Sequence, residues 1–264
     1  MMSMSAPAPY PLGRFSVLEP DQAAELLARI LERAAAEGAA GIVAFDLDST
    51  LLDNRPRQAQ ILREYGELHG VAALAQHHAD HWQGWDARIA MANTGLDPDT
   101  IEAHLGPFRT YWKDRFFTSE YCVLDRPVAG STAYVAAVLA AGARVFYVTG
   151  RHEPMRRGTV ACFEQTGFAV PDGDSVELLM KPELDEHDDV YKVRSHATLR
   201  DRGMLLAAFD NEPAHINGYR ESFPETIAVH LATDHSPRDI PILPGIPSIP
   251  DFTAHRGRSP SAAR

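Results

Sequence analysis

Two aspartates one residue apart, Asp46 and Asp48, terminate an apolar run in "IVAFDLDSTLLDN", residues 42–54. Carboxylates that close repel one another, and burial makes ionising both of them costly. A bound cation is the simplest compensation, and it points to chemistry rather than packing. Two other apolar runs end in residues of similar character. "RVFYV" is followed by Thr149, Gly150 and Arg151, and "LLAAF" by Asp210, Asn211 and Glu212. Lys192 opens the helical stretch that leads into the second of these runs. Mg2+ takes oxygen ligands and is usually bound by one or two carboxylates together with a substrate phosphate. Asp46 and Asp210 suit that task, which leaves one carboxylate free to act as a nucleophile.

These side chains meet only if the runs that carry them lie side by side. Residues 42–45, 144–148, 205–209 and 226–231 are apolar on both parities, as buried parallel strands are, and 176–180 makes a fifth run. Helical stretches separate them. One takes Asp21 as its N-cap and stops at Gly38, and another takes Ser131 as its cap and ends at Gly142. A third ends at Gly167 with Gly158 inside it, and a fourth ends at Gly203. This alternation predicts an α/β fold, a Rossmann-like open parallel sheet flanked by helices with right-handed crossovers. Ligands of such sheets collect at the carboxyl ends of the strands, where the polar residues above stand.

Between Asp53 and Val128 the alternation fails, and the chain reads as helices only. Pro56 starts the first. Leu74, His78, Trp82, Trp85 and Ile89 share one face of a second; Asp97 and Pro98 open a third; "FRTYWKDRFF" suggests a fourth. A block of that size is too long for a connection and is expected to be an inserted α-helical cap domain. His77 and His81, four apart, have a spacing that can bind zinc on a helix. No third ligand stands near them, and Trp82 and Trp85 read as an ordinary packed face. The expected division is a discontinuous core, 1–54 and 125–234, a cap over 55–124, and a Pro-rich strap and tail over 235–264. The Pro- and Ala-rich start is expected to be loose, and the last residues disordered.

The chain has 264 residues, 45% of them hydrophobic, enough for one good core and a smaller second one. Its 25 basic against 36 acidic residues, net −11, argue against holding nucleic acid by bulk electrostatics. Cys122 and Cys162 have neither metal-ligand spacing nor a disulfide framework, which fits a reducing compartment. The start lacks the basic patch and apolar core of a secretory signal, and no apolar run approaches the ~18 residues of a membrane span. A cytoplasmic location without membrane partners is expected.

"DLDST", "VTGR", a helix-opening lysine and a strand-ending "FDN" resemble, in this order, the four motifs of the haloacid dehalogenase superfamily. The resemblance covers residues 40–54 and 128–232. It implies a Mg2+-dependent phosphohydrolase. Asp46 would attack phosphorus and form an aspartyl-phosphate. Asp48 would protonate the leaving oxygen and then activate water. Thr149 would hydrogen-bond the phosphoryl oxygens, and Lys192 would steady the nucleophile. The implied metal set is Asp46, the Asp48 backbone carbonyl, Asp210 and Asn211; Ser49, Gly150 and Arg151 would bind substrate. Each role has its physical warrant. A carboxylate nucleophile divides one hard displacement into two, a neighbouring acid and base serves both, and Lys192 with Mg2+ stabilises charge on the phosphoryl oxygens.

A narrower stretch, "LLMKPELDEHDDVYKVRSHATL" and then "AAFDNEP", is similar to the 3′-phosphatase domain of polynucleotide kinase. Lys192 stands before Asp210 at the separation that pattern keeps, and Lys181 stands farther off, towards the rim. The chain departs from the pattern with Lys181 in place of arginine and Asn211 in place of a second aspartate, and it has no Gly-Lys phosphate loop. The implied partner is a small phosphorylated substrate; a nucleic-acid end stays open but is not favoured. Two rivals remain: a phosphotransferase or mutase on the same site, and a non-catalytic phospho-ligand binding protein. Taken singly, each motif also has a structural reading, as a turn, a helix cap or a solvated helix residue.

Overall fold

Every residue of the strand that ends at Asp46 is buried. In this computed structural model, which describes residues 15–257, the chain runs α1 (Pro20–Glu37), β1 (Gly41–Phe45), β2 (Leu52–Asp53), α2 (Arg55–His69), α3 (Ala72–Ala75), α4 (Ala87–Ala92), α5 (Pro98–Phe116), α6 (Ser119–Cys122) and β3 (Arg126–Pro127). It continues through α7 (Ser131–Ala140), β4 (Arg144–His152), α8 (Arg156–Thr166), β5 (Val176–Lys181), α9 (Asp188–Arg202), β6 (Met204–Asp210), α10 (Pro213–Ser222), β7 (Ile227–Leu231) and β8 (Ser248–Ile249). The expected loose start and disordered tail fall largely outside the described residues.

Six strands form one parallel sheet in the order β5-β4-β1-β6-β7-β8. The fold is thus the α/β, Rossmann-like sheet that the alternation predicts. Side chains alternate along β1. Val43 and Phe45 join one apolar cluster with Leu27 and Ile30 of α1, Val135 of α7 and Phe163 of α8. Ile42 and Ala44 join a second with Leu199 of α9 and Ile216 and Tyr219 of α10. Both faces are therefore covered, which explains strands apolar on both parities. The chain goes from β1 out to β4 and β5, then returns to place β6 on the other side of β1. Such a reversal opens a crevice at the strand ends.

The segment between β2 and β3 holds helices and turns with no strand, and has its own apolar cluster, with Ile61, Leu62, Tyr65, Leu74, Trp82, Met91 and Phe108. Four local expectations need correction. The second helix is not continuous: α3 ends at Ala75, a short 3-10 turn covers Ala79–His81, and α4 begins only after Asp86, whose carboxylate caps Arg88 N. His77 and His81 consequently share no helix. Trp85 is 60% and Ile89 46% exposed, so the five residues do not form one packed face. The third and fourth helices are one, α5, which runs through Pro107. Proline removes one ladder hydrogen bond, and here the apolar face of Ile101, Leu105 and Phe108 holds the helix across it. Asp21 lies inside α1, whose cap is Glu19 in reciprocal contact with Gln22. Ser131 is the first residue of α7, and its buried hydroxyl donates to Leu51 O at 3.1 Å.

The strap also carries structure: it adds β8 to the sheet edge beside β7. Among the described residues, no helix is long and apolar enough to cross a membrane. Cys122 and Cys162 are both buried and free.

Candidate active site

Lys192 lies one turn into α9 and points its ammonium beneath the ends of three strands. Its Nζ donates to Asp46 Oδ1, Asp210 Oδ2 and Val148 O, each at 2.7 Å. All three ammonium protons are thereby satisfied in a buried place, as a desolvated cation requires. The Asp46 carboxyl is raised above its usual range by burial, with the like charge of Asp210 adding to it and Lys192 opposing. Asp210 is held in the opposite direction; burial would raise it, but Lys192 and then His215 outweigh that effect. The structure therefore unites Asp46, Lys192 and Asp210, which the sequence keeps far apart.

Asp48 is bound quite differently. Arg151 Nε and Nη2 donate to its two oxygens at 2.7 and 2.9 Å, Arg57 Nη2 reaches it at 2.5 Å, and Asn54 Nδ2 at 3.3 Å. Burial would raise its pKa, yet Arg151 and Arg57 hold it well below the usual carboxylate range. The same guanidiniums meet the fully buried Asp125, Arg151 Nη2 at 2.5 Å and Arg57 Nε at 3.0 Å. Burial pushes Asp125 up to about 6 against the pull of both arginines. Arg57, Asn54 and Asp125 are absent from the sequence reading. An arginine amid apolar residues on the buried face of α2 was the available signal for Arg57.

Thr149 is buried, and its hydroxyl accepts from Arg151 N at 3.2 Å. A Cβ on the neighbouring Gly150 would come within 2.8 Å of Asp188 Oδ2, so glycine lets the start of α9 approach β4. Asp188 in turn takes the buried Lys181 at 2.6 Å, and Lys181 Nζ also donates to Leu184 O and Glu186 O. Ser49 adopts φ 60°, a left-handed conformation that costs a non-glycine residue roughly 1–2 kcal/mol. Its carbonyl accepts from Thr233. Asn211 braces the strand end: its Oδ1 accepts from Thr50 Oγ at 3.0 Å and its Nδ2 donates to Asp234 O at 2.5 Å.

Asp46 and Asp210 offer hard carboxylate oxygens in the number Mg2+ commonly takes from a protein. Burial and, after it, the like charge of Asp210 disfavour the ionised Asp46 carboxyl against the pull of Lys192, and a divalent cation relieves both. The donor set fits the ion. Among the described residues, no group of three or more His, Cys, Asp or Glu is arranged to hold a metal, and that holds for His77 and His81 as well.

No protein-family model matches this chain, and no curated protein sequence does. Solved structures do. A class C acid phosphatase from Bacillus anthracis is 15% identical over 73% of this chain and 61% of its own, with a TM-score of 0.45. A haloacid dehalogenase-like family hydrolase from Streptococcus pneumoniae is 12% identical over 72% of this chain and 83% of its own, with a TM-score of 0.41. The protein tyrosine kinase PtkA of Mycobacterium tuberculosis is 20% identical over 83% of this chain and 97% of its own, with a TM-score of 0.51. At such identity this last likeness shows a common α/β fold. The chain spans about three fifths of the class C acid phosphatase it matches.

Proposed function

We propose that this chain is a Mg2+-dependent phosphomonoester hydrolase of the haloacid dehalogenase type. The observation that supports it most is the Lys192 ammonium shared by Asp46 and Asp210 at the ends of β1 and β6. Asp46, the Asp48 backbone carbonyl and Asp210 would hold Mg2+, whereas Asn211, expected in the same set, has its amide taken by Thr50 and Asp234. The ion would supply charge stabilisation for the transferring phosphoryl group. The substrate is a small phosphorylated molecule.

In the first half-reaction an Asp46 oxygen bonds to phosphorus while the phosphorus–ester oxygen bond breaks. The leaving oxygen takes a proton and departs as an alcohol. In the second, water attacks the aspartyl-phosphate, gives up a proton and releases phosphate with Asp46 restored. Lys192 keeps Asp46 oriented and offsets its charge as phosphorus approaches. Thr149, Ser49 and the backbone at Gly150 bind the phosphoryl oxygens. Asp48 is the proton carrier. Its ionised form, favoured by Arg151 and Arg57, is the one that takes a proton from water. To donate in the first half it must exchange part of that grip, and phosphoryl oxygens are natural acceptors for the freed guanidiniums. The helices of residues 55–124 act as a cap that excludes water and selects substrate. Free Cys122 and Cys162 accord with a cytoplasmic setting.

The test is phosphate release from an aryl phosphomonoester, with Mg2+ and with chelator, for the parent and Asp46→Asn. Release that needs Mg2+ and disappears in Asp46→Asn is expected. Release that survives the substitution would remove Asp46 as the nucleophile, and transfer to an added alcohol without free phosphate would make the chain a phosphotransferase.

A further inference from the structure

Beyond β7 the chain turns back across the end of the sheet, and two residues of this turn, Ser236 and Arg238, reach the surroundings of Asp210. Arg238 Nη1 and Nη2 donate to Asp189 Oδ2 and Oδ1 at 2.6 and 3.1 Å, and Nη2 also donates to Glu212 Oε1 at 3.0 Å. Ser236 donates to Glu212 twice, from its backbone N at 2.9 Å and from its hydroxyl at 2.7 Å, and accepts from Arg238 Nε at 3.1 Å. Asp189 belongs to the first turn of α9, which carries Lys192. Glu212 follows Asp210 by two residues, and its backbone N donates to Asp210 Oδ1 at 2.9 Å. His215 completes the link, with Nε2 at 2.9 Å from Asp189 Oδ1 and Nδ1 at 3.6 Å from Asp210 Oδ1.

One guanidinium therefore ties the helix that delivers Lys192 to the strand end that delivers Asp210. We infer that Arg238 is a positioning residue for the cation site, which it completes from the strap without touching the ion. The inference rests on Asp210 being a metal ligand, as the proposed function has it. Its physical basis is geometric. Arginine's planar fork can serve two carboxylates at once, whereas a lysine in its place brings the charge but not the span. Partners that orient a metal ligand are worth about 10–100-fold in metal affinity. Charge alone predicts the opposite effect, because removing a cation beside Asp189, Glu212 and Asp210 makes the place more negative and draws Mg2+ more tightly.

Mg2+-dependent thermal stabilisation of the full chain separates the two, with no turnover required. Arg238→Gln and Arg238→Lys are both expected to need roughly tenfold more Mg2+ for half-maximal stabilisation. Ser236→Ala, which keeps every charge and disturbs the fold least, is expected to shift the same way by less. Tighter or unchanged Mg2+ binding in Arg238→Gln, or parent-like binding in Arg238→Lys, would overturn the inference. Phosphate release is followed on the same samples. Weakened Mg2+ binding in the variants of a parent that releases no phosphate would uphold the clasp and sink the hydrolase reading. A parent that hydrolyses and binds Mg2+, with variants that match it, would do the reverse. A parent that binds no Mg2+ would overturn both.

Discussion

Arg57 Nη2 stands 2.5 Å from Asp48 Oδ1, so a helix that lies outside the sheet grips a side chain presented just past the end of β1. Arg57 is fully buried, its ring-facing side lies 4.0 Å over Phe116, and Nη1 donates to Phe116 O at 3.1 Å. The residue thus joins α2, the end of α5, Asp48 and Asp125.

Removing that guanidinium leaves Asp125 buried with one arginine fewer and Asp48 with a looser hold. Breaking a buried pair from one side costs about 3–5 kcal/mol. Arg57→Ala is expected to lose stability on that scale in urea unfolding. Arg57→Lys should recover only part, since Arg57 meets Asp48, Asp125 and Phe116 O through three separate nitrogens spread over its planar fork, and a lysine brings one.

Lys192→Met keeps the length of the side chain and removes its charge. Asp46 and Asp210 then face each other without a cation between them. Phosphate release is expected to fall by about 10²–10³-fold, the scale for losing one preorganised charge donor. Stability should also change its pH dependence. With both carboxyls raised in the folded state, the variant binds protons more readily folded than unfolded. Its stability relative to the parent is then greatest below the usual carboxylate range and declines as pH rises. Urea midpoints of both proteins between pH 4 and 7 measure this.

His77 supplies an opposite slope. Burial, and after it His81, His78 and Arg63, lower its pKa from 6.5 to about 3. The unfolded chain binds this proton first, so stability present above pH 6.5 is lost as pH falls towards 3. One such group contributes at most about 1.4 kcal/mol per pH unit. His77→Phe should flatten the acid side of the stability profile by about that slope between pH 6 and 4. An unchanged slope would place the titration elsewhere.

Gly158 marks a close approach of two helices. A Cβ there would sit 1.9 Å from Ser119 O, and Gly158 N already donates to Ser119 Oγ at 3.0 Å. Gly158→Ala raises helix propensity yet forces α6 away from α8. Overpacking of this sort costs on the order of 1–3 kcal/mol, read as a lower melting temperature. A propensity effect alone would raise it.

The four interior strands of the sheet, and β5 at its edge, were legible because residues buried on both faces leave little polar alternation, as in "RVFYV" and "LLAAF". Asp46 and Asp210 were legible because a charge at the end of an apolar run has few structural duties, whereas Lys192 was picked out by its separation from Asp210 in the pattern that the chain resembles. Asp125 and Arg238 were not. Neither ends one of the predicted strands, and the partner that gives each its meaning lies elsewhere in the chain: Arg57 for Asp125, Asp189 and Glu212 for Arg238. Strand β8 escaped for the same reason, since two residues, Ser248 and Ile249, carry no period, and only pairing with His230 and Leu231 defines them. The helical segment failed locally where periodicity was followed across Gly84, which takes φ 99°, a conformation no helix contains.

The short ribbon of β2 and β3 pairs Leu52 with Pro127 and Asp53 with Arg126, so the chain departs into the helical segment and comes back at one doorway. Most of what lies between packs on a cluster of its own, while its last helix, α6, leans on α8. Such an arrangement lets descent with modification lengthen, shorten or exchange that segment while the strands stay in register. Here the exchange is not free. Arg57 stands just inside the doorway and shares Asp48 with Arg151 of β4, so a replacement segment without a cation at that spot leaves Asp48 to Arg151 alone.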